Sequence, residues 1–450
     1  MDEKRLHLLA EEPVRSAILK MSIPMVFGML FQVFYNLVDT YFIGQLNDAN
    51  QLAAANFALP IFTLTMGVAS IVGTGASSYI SRSLGKENRE EANKTTTIAV
   101  GLLVMISLLF TVLGILFLNP LVNVLGADAN TFEPTRQYIF IMLLGTVGVM
   151  GNFALGQLLR AEGNIMKSMM GLIIGTVLNI ILDPLFIFTF DMGVSGAALA
   201  TIIGNIVGTL YYVRCFFNGS SSLVIQVKQF KIDWPIYGEI FKIGIPSSLT
   251  QVLVGVATIV MNNIAIAYGT LTVAGMGVAT KIMLIGTFIF IGFSTGCQPI
   301  IGYSYGANNL VRVKETIKEG IKLTACIGVV LLLLFMLGSN LLIGVFTPDV
   351  AVVEKGTLIL RALALSLPFM GGTMIATTAA QAMGKAMPSF ILSLSRQGLL
   401  YIPLLLLLNT FFGFNGFVYA QPITDLIMVI SASLYLFSIL KKETIQVLKV

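Results

Sequence analysis

Only 11% of the 450 residues are charged, and the chain has one histidine, one tryptophan and three cysteines. Each shortage closes off a class of function. His7, the only histidine, lies in the polar N-terminal tail, where it is expected to be solvated, so neither a catalytic triad nor a zinc site can be assembled. Cys215, Cys297 and Cys326 sit in or beside apolar stretches without paired spacing and read as packing residues, not as disulfides or metal ligands. No glycine-rich phosphate loop with its lysine appears, which argues against nucleotide-driven work, and no cofactor is expected. The net charge of +5 is scattered over seven segments without a basic stripe, so nucleic acid is not an expected partner. The N-terminal residues carry no pattern of a cleavable signal peptide.

What remains is apolar: 56% of residues are hydrophobic and the mean hydropathy is +0.89. Such a chain belongs in a bilayer, where a spanning helix needs roughly 20 mostly apolar residues and must satisfy its own backbone. Twelve runs qualify, over 16–44, 51–81, 95–118, 135–159, 168–190, 194–217, 238–268, 273–304, 321–345, 357–382, 387–411 and 416–439. With the N-terminus inside, 22 of the 27 Lys and Arg fall in cytoplasmic segments. Arg136, Lys355 and Arg361 fall in or at the edge of the external segments, and Lys281 and Arg396 lie deep within spans. Basic residues favour the cytoplasmic side, so both termini are expected there.

The runs repeat at a spacing of about 221 residues. Ile18-Leu-Lys-Met-Ser-Ile-Pro24 returns as Ile240-Phe-Lys-Ile-Gly-Ile-Pro246, Gly85 as Gly306, the segment Leu121–Asp128 as Leu342–Asp349, and Arg160-Ala-Glu-Gly163 as Gln381-Ala-Met-Gly384. Six spans per half is an even number, so the halves enter the membrane in the same orientation. The expected fold is all-α and integral to the membrane: twelve helices in two six-helix bundles related by a pseudo-twofold axis along the membrane normal. The lobes are placed at 1–217 and 238–450, joined by a cytoplasmic linker over 218–237 that carries Lys228, Lys231 and Trp234.

An ionisable side chain within hydrocarbon normally faces a cavity or a partner. Five qualify: Asp39, Asp183, Lys281, Arg396 and Asp425. Counted from the outer ends of spans 1 and 5, Asp39 lies about 8 Å deep and Asp183 about 10 Å deep. Thr201 of span 6 falls at nearly that depth, and Asn179 is one turn below Asp183. Two carboxylates, an amide and a hydroxyl on one level suit a proton or a hard monovalent cation such as sodium, which would compete for one place. The plainer alternative is that Asp183 serves backbone groups freed by Pro184 and that Asp39 caps a helix break. Gln32, Tyr35, Asn36 and Asp39 recur at i, i+3, i+4 and i+7, a polar stripe that should line a water-accessible cavity. Asn152 of span 4 belongs to the candidate walls. In the second half, Lys281 and Asp425 are equally deep in spans 8 and 12, and an internal ion pair between them is expected, with Arg396 nearby.

At these residues the chain resembles the multidrug and toxic compound extrusion (MATE) family over essentially its whole length. The resemblance is carried by the order of spans, Asn36-Leu-Val-Asp-Thr-Tyr-Phe-Ile-Gly44, Gly85, Arg160-Ala-Glu-Gly163 and Asn179-Ile-Ile-Leu-Asp-Pro184. It is similar in particular to the bacterial DinF-like and MepA-like branch. The resemblance implies a monomeric antiporter of the bacterial cytoplasmic membrane, in contact with membrane lipids, that expels small organic cations in exchange for protons or sodium. It implies that Asp39, Asn179, Asp183 and Thr201 form the cation site, with Tyr138 beside it and Gln32 and Asn152 facing substrate. NorM-like members carry acidic residues within spans 7 and 10; apart from Glu239 at the very start of the span-7 run, both runs lack them here, so coupling is expected to rest on the first lobe alone. A lipid-linked sugar or lipid flippase of the same superfamily is the alternative, and it would call for a strongly basic cavity. A major-facilitator plan is disfavoured because Ser81-Arg-Ser-Leu-Gly-Lys86 lacks the Asp-Arg loop of those transporters. A membrane enzyme lacks nucleophile–base or metal-ligand sets, and a channel usually needs a selectivity ring from several subunits.

Overall fold

A computed structural model describes residues 3–46, 48–226 and 233–447. Every regular element among them is helical. A short α1 (Glu3–Ala10) precedes the spans α2 (Val14–Gly44), α3 (Ala49–Gly85) and α4 (Arg89–Leu116), and α5 (Leu118–Val124) caps the last of these. Then come α6 (Phe132–Leu144), α7 (Thr146–Ala161), α8 (Ile165–Pro184) and α9 (Gly193–Phe217). The second half repeats the series with α10 (Trp234–Ala267), α11 (Thr270–Gly306), α12 (Leu310–Gly344), α13 (Val350–Ala364), α14 (Leu367–Ala382), α15 (Ala386–Leu394) and α16 (Tyr401–Val447).

Among the described residues nine helical stretches are long and apolar enough to cross a bilayer. Two more crossings are bent pairs, α6 with α7 at 51° and α13 with α14 at 47°. The stretch Ala386–Glu443 counts as one of the nine, yet its 58 residues would extend about 87 Å, nearly three times a hydrocarbon core. It turns back at Gly413, whose φ of 56° and ψ of −137° leave helical space, and Arg396 consequently meets Asp425 across 29 positions of sequence. That reversal makes two spans of the stretch and twelve in all. Several helices start earlier than their apolar runs: α12 begins at Leu310 because the polar turns bearing Arg312, Lys314 and Lys318 continue the helix beyond the apolar run.

The internal repeat is written into the turns. Glu87 and Asn308 both take positive φ (60° and 57°), as do Gly163 and Gly384 (79° and 72°). Asn88 and Asn309 cap α4 and α12 in the same way, each side-chain oxygen accepting from the backbone N–H three residues on. The bends after Leu144 and Ala364 fall at the same offset.

Two compact units emerge, one of Met1–Leu6 with Leu30–Gln251 and the other of His7–Met29 with Val252–Val450. They differ from the sequence halves in that the beginning of α2 packs in the second unit and the beginning of α10 in the first. Close backbone approach explains both placements. A Cβ on Gly75 of α3 would lie 2.1 Å from the Ile240 carbonyl oxygen, and one on Gly296 of α11 would lie 2.7 Å from the Ser22 Cα, so glycine is what admits each helix. Arg82 pairs with Glu239 at 2.7 Å and Lys94 with Asp233, which fastens the start of α10 within the first unit. The connection before it is docked too: Val224 N donates to Asn93 Oδ1 at 2.9 Å and Gln226 N to Thr97 Oγ1 at 3.0 Å. Trp234 is exposed, while Lys228 and Lys231 lie outside the described residues.

Candidate functional site

The site lies in the first unit and is built on the packing of α8 against α9. Gly175 and Gly204 face each other there: a Cβ on Gly204 would lie 2.5 Å from the Gly175 carbonyl oxygen and 3.2 Å from the Asn179 Cβ. That approach brings Asn179 against Thr201. The Asn179 amide satisfies both ends in one orientation, with its oxygen accepting from Thr201 N at 2.8 Å and Thr201 Oγ1 at 3.2 Å, and its nitrogen donating to Asp183 Oδ2 at 3.2 Å. Asp183, Asn179 and Thr201 are all buried. Directly after Asp183-Pro184 the helix widens into a π-helical segment, Leu185–Thr189, a form that tends to mark functional positions.

The first span closes the cluster. Tyr35 of α2 shares a hydrogen bond of 3.2 Å with Thr201 Oγ1, and Asp39 stands one turn further along the same face. Asp39 is near enough to Asp183, and both are near enough to the hydroxyls of Tyr35 and Tyr138, for their charges to be felt there. Tyr138 of α6 thus joins the two carboxylates, and it packs against three adjoining apolar clusters of the first unit. Asp39 Oδ1 and Asp183 Oδ1 are both buried without a hydrogen-bond partner among the described residues.

Further residues show where sequence reasoning stopped short. Asn152 Nδ2 donates to Asn205 Oδ1 at 3.0 Å, and Asn205 Nδ2 donates to the Thr201 carbonyl at 2.8 Å. Asn152 is therefore linked to the carboxylate cluster through Asn205, a residue the sequence reading passed over although it stands one turn from Thr201 on the same face. Asn36 is exposed and donates to the Gln32 carbonyl at 2.9 Å, and Gln32 is half-buried.

The second unit corrects one expectation. Asp425 is buried and pairs with Arg396, Nε to Oδ1 at 3.0 Å, while its Oδ2 accepts from Gln421 Nε2 at 3.0 Å. Lys281 is exposed on α11 and forms no ion pair with Asp425. The reversal at Gly413 sets Asp425 opposite α15 and its continuation, whereas equal depth alone had suggested Lys281. Glu239 lies near the start of the helix carrying span 7, and the helix carrying span 10 begins early enough to include Glu354. Among the described residues no group of three or more His, Cys, Asp or Glu could hold a metal ion.

The MatE family model matches residues 24–185 and again 246–407, which sets one copy on each half at the spacing of the internal repeat. The chain belongs to the MatE family. It is 32% identical over 446 residues to the multidrug export protein MepA of Staphylococcus aureus strain MRSA252, with 99% of this chain and 98% of that protein covered. A MATE crystal structure in complex with MaL6 superposes with a TM-score of 0.94 at 26% identity, covering 98% of this chain and 99% of that one. An outward-facing multidrug resistance MATE transporter of the MOP superfamily gives 0.93 at 27% identity with the same coverage. As a member of this family the chain is a multi-pass membrane transporter, and the fold read from its sequence is the family's.

Proposed function

We propose that the chain is a multidrug exporter that expels amphipathic organic cations across the bacterial cytoplasmic membrane, with both termini in the cytoplasm, in exchange for protons or sodium ions taken up at Asp39 and Asp183. The observation that carries this reading is the pair of buried carboxylate oxygens without donors, surrounded by Asn179, Thr201, Tyr35 and Tyr138. An anion left unpaired in such surroundings is costly, so each carboxylate must recruit a proton or a cation. Release of that proton or cation changes which hydrogen bonds Asp183 and Asn179 can keep. The change reaches α2 through Thr201 and Tyr35, so loading of the site biases the position of the first span. The similarity to MepA supports multidrug export as the work this exchange drives.

The flippase alternative draws little support: Arg396 and Lys281 are two intramembrane cations, one of them already paired with Asp425, and two do not make a strongly basic cavity. In proteoliposomes a pH gradient or a sodium gradient should energise uptake of a fluorescent organic cation by the wild type. Asp39→Asn should abolish that exchange while the protein still expresses and binds the dye. Undiminished exchange by Asp39→Asn would remove the coupling assignment.

A further inference from the structure

The second unit holds a polar cluster that the coupling site does not use. Arg396 sits ten residues after Ala386, the first residue of α15, so it is about 15 Å inside its span and well away from either headgroup layer. It lies within a π-helical segment, Ser395–Leu399, where the ordinary helical hydrogen-bond ladder is interrupted. Asp425 engages only its Nε, and Gln421 holds the other oxygen of that carboxylate. The Nη1 and Nη2 groups make no hydrogen bond to any described residue, and the side chain retains 12% of its exposure. A pair serving neutrality alone would favour the two-pronged guanidinium–carboxylate geometry; here the prongs stay free. The same helical face offers two more donors. Ser389 and Ser393, seven and three positions before Arg396, are buried, and neither hydroxyl has a partner among the described residues. Serines in a helix commonly return their hydroxyl to a carbonyl one turn back, so two orphaned hydroxyls in line with a free guanidinium fork form a donor row without an acceptor.

We propose that Arg396, with Ser393 and Ser389, receives the carboxylate of a zwitterionic amphipath, and that Asp425 and Gln421 are positioning residues that aim the fork. The assignment rests on the multidrug-export reading and extends it: the first unit exchanges the coupling ion, and the second distinguishes substrates that carry an acidic group from plain cations. Mid-span depth favours a transported molecule over an anionic lipid headgroup as the source of the carboxylate or a similar anion.

The test uses the full chain in phosphatidylcholine nanodiscs and two probes, a rhodamine with a free carboxylate and its methyl ester, with binding read by fluorescence anisotropy. Arg396→Lys keeps the charge but loses the fork, and should weaken the acid about tenfold while leaving the ester within about twofold. Ser393→Ala leaves the ion pair in place and should weaken the acid selectively by a smaller factor; it decides the matter if Arg396→Lys does not fold. Equal losses for both dyes, or no loss for the acid, would overturn the proposal while leaving the exporter reading intact. Failure of the wild type to bind either dye would overturn both. An acid preference abolished by adding phosphatidylglycerol would assign the fork to lipid and also overturn the proposal.

Discussion

Gly204→Ala should uncouple the transporter without altering any ionisable group. Its Cβ would lie 2.5 Å from the Gly175 carbonyl oxygen, a backbone atom that cannot rotate away, and 3.2 Å from the Asn179 Cβ. Relief to ordinary contact requires α8 and α9 to part by about 1 Å. The Asn179–Thr201 hydrogen bonds measure 2.8 and 3.2 Å, and an added ångström carries both beyond useful length. Overpacking of this kind costs about 1–3 kcal/mol, and the two lost bonds add about 1 kcal/mol each. The expected result is a protein that still inserts but melts several degrees lower and exchanges dye for the coupling ion at least about tenfold more slowly in proteoliposomes, since the Asp183–Asn179–Thr201 geometry is gone. Gly255→Ala and Gly277→Ala are the controls. A Cβ at either meets nothing within 4 Å among the described residues, so both should match or slightly exceed wild-type stability. Wild-type exchange and melting in Gly204→Ala would refute the claim that close approach of α8 and α9 builds the site.

Other perturbations follow from the same contacts. Asp425→Ala strands a partly buried Arg396 in the span and should destabilise the protein by about 3–5 kcal/mol, whereas Lys281→Ala should stay within about 0.5 kcal/mol; thermal melts in detergent separate the two, and equal effects would restore the Lys281 pairing. Asn205→Leu removes the bridge from Asn152 to Thr201 and should slow exchange while leaving dye affinity largely unchanged, to be checked by transport against binding in one preparation. Glu162, in the loop after α7, is buried and accepts from Ser222 N at 2.6 Å, and burial holds its carboxyl above the usual carboxylate range, with Arg5 opposing. A raised folded-state value means that the folded chain binds the proton more tightly, so this contribution to stability is present at acid pH and lost as pH rises through that value. Glu162→Gln should flatten that part of the melting-temperature profile; an unchanged slope would assign the dependence elsewhere.

How much of this was legible beforehand follows from how local each signal is. The spans and the repeat could be read because an apolar run, a proline or a turn glycine acts over a few residues. The shared left-handed turns at Glu87 and Asn308, and at Gly163 and Gly384, show the same local instruction issued twice. The residues brought together at Asp39, Asn179, Asp183 and Thr201 were also within reach, since depth along each helix can be counted at a fixed rise per residue and buried carboxylates are few. Depth, however, says nothing about azimuth. Lys281 and Asp425 share a level, yet the rotation of α11 and the reversal at Gly413 decide that Asp425 meets Arg396. The same blindness hid Asn205, an uncharged amide in an apolar run, whose value appears only when Asn152 is seen to stand opposite it. It also hid the sharing of α2 and α10 between the units, which depends on tertiary close approach at Gly75 and Gly296 and not on any property of the two helices that change company. Single-sequence reasoning about membrane proteins therefore locates ionisable residues along the bilayer normal more securely than it pairs them. A buried charge without an evident partner should be matched against every helix at its depth before an ion pair is assigned.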